Sequence, residues 1–163
     1  MKRLLLALAI TASASLHSPL LSAANPVWQE NKTEAEYSID VYHSPTCGCC
    51  KAWIEHLEDH NFKVNSIEMH DVSPIKQRLG VPPQGASCHT AVVNGLVVEG
   101  HVPAQDIKTL LDKSDSNIRL LTVPGMPSGG PGMDHEGARK DDFEVFAVSK
   151  DNKVSTYNHY KDY

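Results

Sequence analysis

Tyr37-Ser38-Ile39-Asp40-Val41-Tyr42-His43-Ser44-Pro45-Thr46-Cys47-Gly48-Cys49-Cys50 is the stretch on which the fold turns. Tyr37, Ile39 and Val41 alternate with Ser38, Asp40 and Tyr42, the period of a strand with one buried face. His43 to Thr46 is a turn, with Pro45 discouraging helix before it and Thr46 or Cys47 able to cap the next one. From Lys51 to Asp59 the stripe Trp53, Ile54, Leu57 opposes Lys51, Glu55, Glu58 and Asp59, which predicts an amphipathic helix. Three of the four cysteines therefore stand between a strand and a helix start, where unpaired backbone N–H groups and the helix dipole favour thiolates.

Upstream, Met1-Lys2-Arg3 and the apolar run Leu4 to Ile10 precede small residues ending Ser22-Ala23-Ala24. The apolar run is too short to span a bilayer, so residues 1–24 read as a secretory signal cleaved near Ala24 and the chain as exported to the periplasm. Cleavage would leave 13 basic and 20 acidic residues, a charge of −7, which argues against nucleic acid and anionic membrane as partners. Asn25 to Ala35 reads as a loose lead-in carrying a lone Trp28, and 36–163 as a single domain.

Downstream, Phe62 to Met69 is a second strand, and Ser73-Pro74 opens a short helix that Gly80 stops. Thr90 to Val93 and Leu96 to Glu99 flank Asn94-Gly95, a strong hairpin signal. Val102-Pro103 opens a third helix with Ile107, Leu110 and Leu111 as its stripe. Strand, helix, strand, helix, hairpin and helix in that order resemble an α/β fold of the thioredoxin-like type over residues 37–112. Residues 117–160 add a loop with three prolines and five glycines from Thr122 to Gly137, then a hairpin of Phe143 to Val148 and Val154 to Tyr160. A long loop pinned by a terminal hairpin is expected to be functional.

Cys47 and Cys50 have redox CxxC spacing, within disulfide reach on one helix face. Cys49 and Cys50 are neighbours with Cα atoms about 3.8 Å apart, whereas unstrained bridges want roughly 4.4 to 6.8 Å. Cys49 is thus free, paired with Cys88, or a ligand. Cys88-His89-Thr90 occupies the turn where a thioredoxin-like chain places a residue and a proline, so a thiol and an imidazole are expected beside the cluster. Met126 and Met133 add thioether sulfur. Thiolate with thioether is a soft set that selects Cu(I); zinc on four cysteines is the competing reading. His43 and His101 fall at loop edges near the thiol end, His135 near the methionines, and His56, His60, His70 and His159 are expected on the surface. There is no Ser-His-Asp order, phosphate loop, paired-carboxylate site or HExxH, so hydrolase and nucleotide chemistry have no support.

Val41 to Cys50, Ser87-Cys88-His89-Thr90, Val98-Glu99-Gly100-His101-Val102-Pro103, and Val123-Pro124-Gly125-Met126-Pro127 through Pro131-Gly132-Met133 are similar to the CopG family of periplasmic copper-resistance proteins. The resemblance implies a thioredoxin-like fold, copper held by Cys47, Cys49, Cys50 and Cys88, and His89, Met126 and Met133 around them. It also implies copper detoxification through a change in copper oxidation state, with other periplasmic copper-handling proteins or an electron partner. No role carries over to His43. Four thiolates around one Cu(I) would leave −3, so the ligand set favours a multinuclear site. Two other readings stay open: a thiol–disulfide oxidoreductase using Cys47 and Cys50, and a domain stapled by Cys47–Cys50 and Cys49–Cys88 bridges.

Overall fold

The computed structural model describes residues 25–113 and 116–163; the expected signal segment lies outside them. A seven-stranded mixed sheet in the order β2-β1-β3-β4-β5-β6-β7 carries the helices of an α/β fold. β1 (Tyr37–His43) runs parallel to β2 (Phe62–Glu68) through α1 (Gly48–Asp59). The short α2 (Ser73–Arg78) leads to the hairpin β3 (Thr90–Val93) and β4 (Leu96–Glu99). Asn94 and Gly95 close that hairpin at φ 48° and 81°, the left-handed pair that a two-residue turn with native strand twist requires. β3 lies antiparallel to β1, with Tyr42 opposite Thr90, so the turn before β3 arrives at the same sheet end as the start of α1.

Beyond β4, α3 (Ala104–Leu111) crosses to β5 (Ile118–Thr122), which pairs parallel to β4. β5 was not among the expected strands. It carries the sheet on to β6 (Phe143–Ser149) and β7 (Val154–Tyr160), so the closing hairpin extends the main sheet. The main core packs Ile39, Val41, Trp53, Leu57, Val98, Ile107, Leu121 and Val145, all at most 1% exposed. Val97, Leu120 and Val148 form a smaller cluster with Leu79 and Val81.

Three expectations are corrected. Trp28 is fully buried within a short 3-10 helix, Pro26–Gln29, so the lead-in is part of the core. Its ring lies 5.1 Å from those of both Tyr160 and Tyr163, and its indole N–H donates to the Gly129 carbonyl at 3.0 Å. His56 and His60 are buried, not on the surface. Each has a backbone partner that explains it: His56 Nε2 accepts from Ala104 N–H at 3.0 Å, and His60 Nε2 donates to the Trp28 carbonyl at 2.7 Å. His70 and His159 are exposed.

Candidate metal centre

Cys47 is the N-cap of α1; its sulfur accepts from Cys50 N–H at 3.3 Å. The helix therefore starts three residues before Lys51, and the thiol run becomes its first turn. Cys47 and Cys50 are joined in a disulfide with Cα atoms 5.3 Å apart. Cys49 and Cys88 are free and half-buried, and Cys49 Sγ stands 3.5 Å from Cys47 Sγ. A bridged pair offers no thiolate, so this is the oxidised form of the cluster; reduction frees two more sulfur donors.

All four sulfurs lie within 4.8 Å of one another. A second set, Cys88, His89 and His101, satisfies the same limit, so Cys88 belongs to both. The Cys88 sulfur is 3.2 Å from His89 Nδ1 and 3.3 Å from His101 Nε2. His101 Nδ1 lies 2.9 Å from the Pro131 carbonyl, which can only accept. In the neutral ring that contact fixes the proton on Nδ1 and leaves the Nε2 lone pair facing Cys88. His89 packs its ring 4.3 Å from Trp53, and its Nε2 is buried without a hydrogen-bond partner among the described residues.

Electrostatics keep these groups in defined forms. Burial and then His101 and Lys76 hold His89 well below the ordinary imidazole range. Burial lowers His101 too, against the opposing Pro131 bond. Both rings are therefore neutral near pH 7, with lone pairs free. Burial, followed by the neighbouring Cys49, pushes the Cys88 thiol up to about 11. A cation beside Cys88 would reverse that penalty, because it favours the thiolate. An orphaned buried imidazole atom with clustered sulfurs fits a thiophilic metal ion.

The glycine- and proline-rich loop closes over this centre. Pro131 binds His101 through its carbonyl. Gly125 accepts from the Ser87 hydroxyl at 2.5 Å. A Cβ on Gly132 would lie 2.9 Å from the Cys49 carbonyl and 2.6 Å from Trp53 N, so the loop backbone rests on the first turn of α1. Met133 is half-buried next to Gly132, whereas Met126 is 56% exposed. His135 is exposed. His43 is buried but spends its ring nitrogens on the Ser44 carbonyl and the Ser66 hydroxyl, at 3.0 and 2.7 Å, and joins neither donor set. His101 is the donor that sequence reasoning left without a role. Its proximity to Cys88 follows from the β3–β4 pairing, which brings Gly100 N–H onto the His89 carbonyl at 3.1 Å.

A family model described as a protein of unknown function, DUF411, matches residues 85–133. No curated protein matches the chain. Two solved structures, forms 2 and 1 of a copper resistance protein CopG, match much more of it. Form 2 is 42% identical, with a TM-score of 0.73, covering 78% of this chain and 100% of that one. Form 1 is 43% identical, with a TM-score of 0.71, covering 77% and 98%. With a cysteine and histidine centre of this geometry and 42% identity over the full length of a solved relative, the chain belongs to the family of the copper resistance protein CopG.

Proposed function

We propose that this chain is a periplasmic copper-resistance protein that holds Cu(I) in the centre formed by Cys47, Cys49, Cys50, Cys88, His89 and His101. The observation that carries this reading is the sharing of Cys88 between a sulfur quartet and a cysteine–histidine trio. A sulfur with donors on two sides is suited to bridging two ions. Several Cu(I) ions would also balance the thiolates better than one. Met133, half-buried on the loop that rests against Cys49, is the thioether to add next; exposed Met126 would serve at the mouth. The strands β2-β1-β3-β4 with α1 and α3 are read as the thioredoxin-like core that presents the site. Export with cleavage near Ala24 belongs to the same reading, and the mass of the exported protein tests it.

Reduced protein titrated anaerobically with Cu(I) against a strong chelator should take up copper with a fixed stoichiometry, and Cys88→Ser should lower it. An unchanged ratio of copper to protein in Cys88→Ser would overturn the shared-sulfur site.

The Cys47–Cys50 bridge favours a second reading as a thiol–disulfide oxidoreductase, with Cys49 placed 3.5 Å from Cys47 to attack it. The two readings meet in copper redox chemistry. Oxidation of the Cys47 and Cys50 thiolates to the disulfide releases two electrons, enough to reduce two Cu(II) to Cu(I). Catalysed insulin reduction that is lost in Cys47→Ser and indifferent to copper would favour the oxidoreductase. Bridge formation coupled to Cu(II) consumption at one bridge per two ions would favour the copper reaction.

A further inference from the structure

Ser87 and Thr90 bracket Cys88 and His89, and both are fastened to one carboxylate. Glu99, fully buried at the end of β4, accepts through Oε1 from Ser87 N–H at 2.6 Å and from the Lys76 ammonium at 2.5 Å. Its Oε2 accepts from the Thr90 hydroxyl at 2.7 Å. Lys76 also donates to Thr90 Oγ1 at 2.9 Å, so Glu99, Lys76 and Thr90 form a closed triangle of contacts to which Ser87 is tied through Glu99.

A buried ion pair adds little net stability, because desolvation of both charges offsets their attraction. What it fixes is geometry. No proline stiffens the backbone between Ser87 and Thr90, and every peptide bond among the described residues is trans. Without the carboxylate, Thr90 keeps its strand pairing with β1 and β4 and its contact with Lys76, whereas the stretch from Ser87 to His89 is left with the Gly100–His89 backbone bond and the contact of Ser87 with Gly125. An amide in its place, with its oxygen kept on Ser87 and Lys76, would turn an N–H towards Thr90, force that hydroxyl to redirect its own proton, and strip the remaining bonds of their charge assistance. The Lys76 side chain, only 14% exposed, would lose its counter-charge.

The geometry points to Glu99, seated on Lys76, as the positioning residue that presents Cys88 and His89 to Cys49 and His101. It touches none of the donor atoms and acts through Ser87 and Thr90. Only the copper half of the test below rests on the proposed function.

In metal-free, bridge-intact exported protein, alkylation of Cys88 resolved by mass spectrometry reads the loop directly. Glu99→Gln and Thr90→Val should speed it by about tenfold, the scale of one lost hydrogen bond to a charged group, with Cys49 changing far less. Thr90→Ser keeps the hydroxyl and should keep the wild-type rate. Asp106→Asn removes another buried carboxylate, one on α3 that accepts from Asn158 and Tyr160 and not from the Cys88 loop, and should leave the Cys88 rate unchanged. In the copper arm, Glu99→Gln should bind fewer Cu(I) ions than wild type. Wild-type alkylation of Cys88 in both Glu99→Gln and Thr90→Val overturns the assignment. If Glu99→Gln does not fold, the Thr90→Val and Thr90→Ser pair decides. If wild-type protein takes up no Cu(I), the copper reading fails while alkylation still decides the role of Glu99.

Discussion

Cys88 Sγ and His101 Nε2 lie 3.3 Å apart, although thirteen residues separate them in sequence. The pairing depends on a carbonyl. The Pro131 carbonyl accepts a hydrogen bond from His101 Nδ1–H, and that leaves Nε2 as a lone pair aimed at sulfur. An imidazole held in one tautomer by a backbone acceptor is the arrangement of an oriented metal ligand.

His101→Ala should therefore weaken Cu(I) binding by about 10- to 100-fold, the range typical of losing a group that ligates or orients ligands. Competition with a chromophoric chelator measures it. His43→Ala, which removes a buried histidine outside both donor sets, should leave Cu(I) affinity near wild type at matched occupancy.

Buried His56 links stability to acid. Burial first, then His60, lowers it to about 3, against about 6.5 in the unfolded chain. The unfolded state binds the extra proton between those values, so stability falls as pH drops below about 6.5 and the loss levels off near pH 3. At pH 4.5 the loss from His56 alone is roughly 2 to 3 kcal/mol. Urea unfolding of the metal-free protein at pH 7.5 and 4.5 measures the total, to which His60, also lowered by burial, adds in the same direction. His56→Gln keeps an acceptor for Ala104 N–H and should flatten the dependence by that amount. An equally steep loss in His56→Gln would show that other groups carry it.

The cysteine cluster and the Asn94-Gly95 hairpin were legible because each is local: spacing of three residues and a two-residue turn need no tertiary knowledge. The position of Cys88 was legible through the order of elements, since β3 returns to the end of β1. His101 was visible as a residue but not as a donor, because its tautomer depends on a carbonyl thirty residues away. β5 escaped because Ile118-Arg119-Leu120-Leu121-Thr122 does not alternate: Leu120, Leu121 and Thr122 are all buried, as in strands covered on both faces. His56 and His60 were expected outside because a helix pattern counts imidazole as polar. The buried Ala104 N–H and Trp28 carbonyl that accommodate them are invisible in sequence.

Trp28 ties the segment ahead of β1 to the residues of β7 and beyond. Its ring packs at a tilt of 60° against Tyr160 and 55° against Tyr163, and its N–H holds Gly129 of the loop over the candidate centre. Trp28→Ala should cost about 3 to 5 kcal/mol, the range for emptying a large aromatic site. Trp28→Phe keeps most of the packing and loses the Gly129 bond, for about 1 kcal/mol. Chemical denaturation gives both values. Hydrogen exchange in Trp28→Phe should show the loss at Gly129 to Met133, whose own turn closes through Gly129 N–H on the Met133 carbonyl at 2.9 Å.

Gly132 and Gly137 separate contact from backbone strain. Both adopt left-handed φ, 79° and 77°. Alanine at Gly137 meets nothing within 4 Å, so Gly137→Ala should cost only the conformational penalty, about 1 kcal/mol. Alanine at Gly132 adds a Cβ 2.6 Å from Trp53 N and 2.9 Å from Trp53 Cα, rigid backbone atoms that cannot turn aside. The loop must then lift from α1 and take Met133 and the Pro131 carbonyl with it. Gly132→Ala should lose at least 1 kcal/mol more than Gly137→Ala, consistent with the cost of overpacking a tight contact. Because Pro131 orients His101, Gly132→Ala should also weaken Cu(I) binding while Gly137→Ala leaves it unchanged. Equal copper affinity in the two variants would mean that the loop does not shape the site.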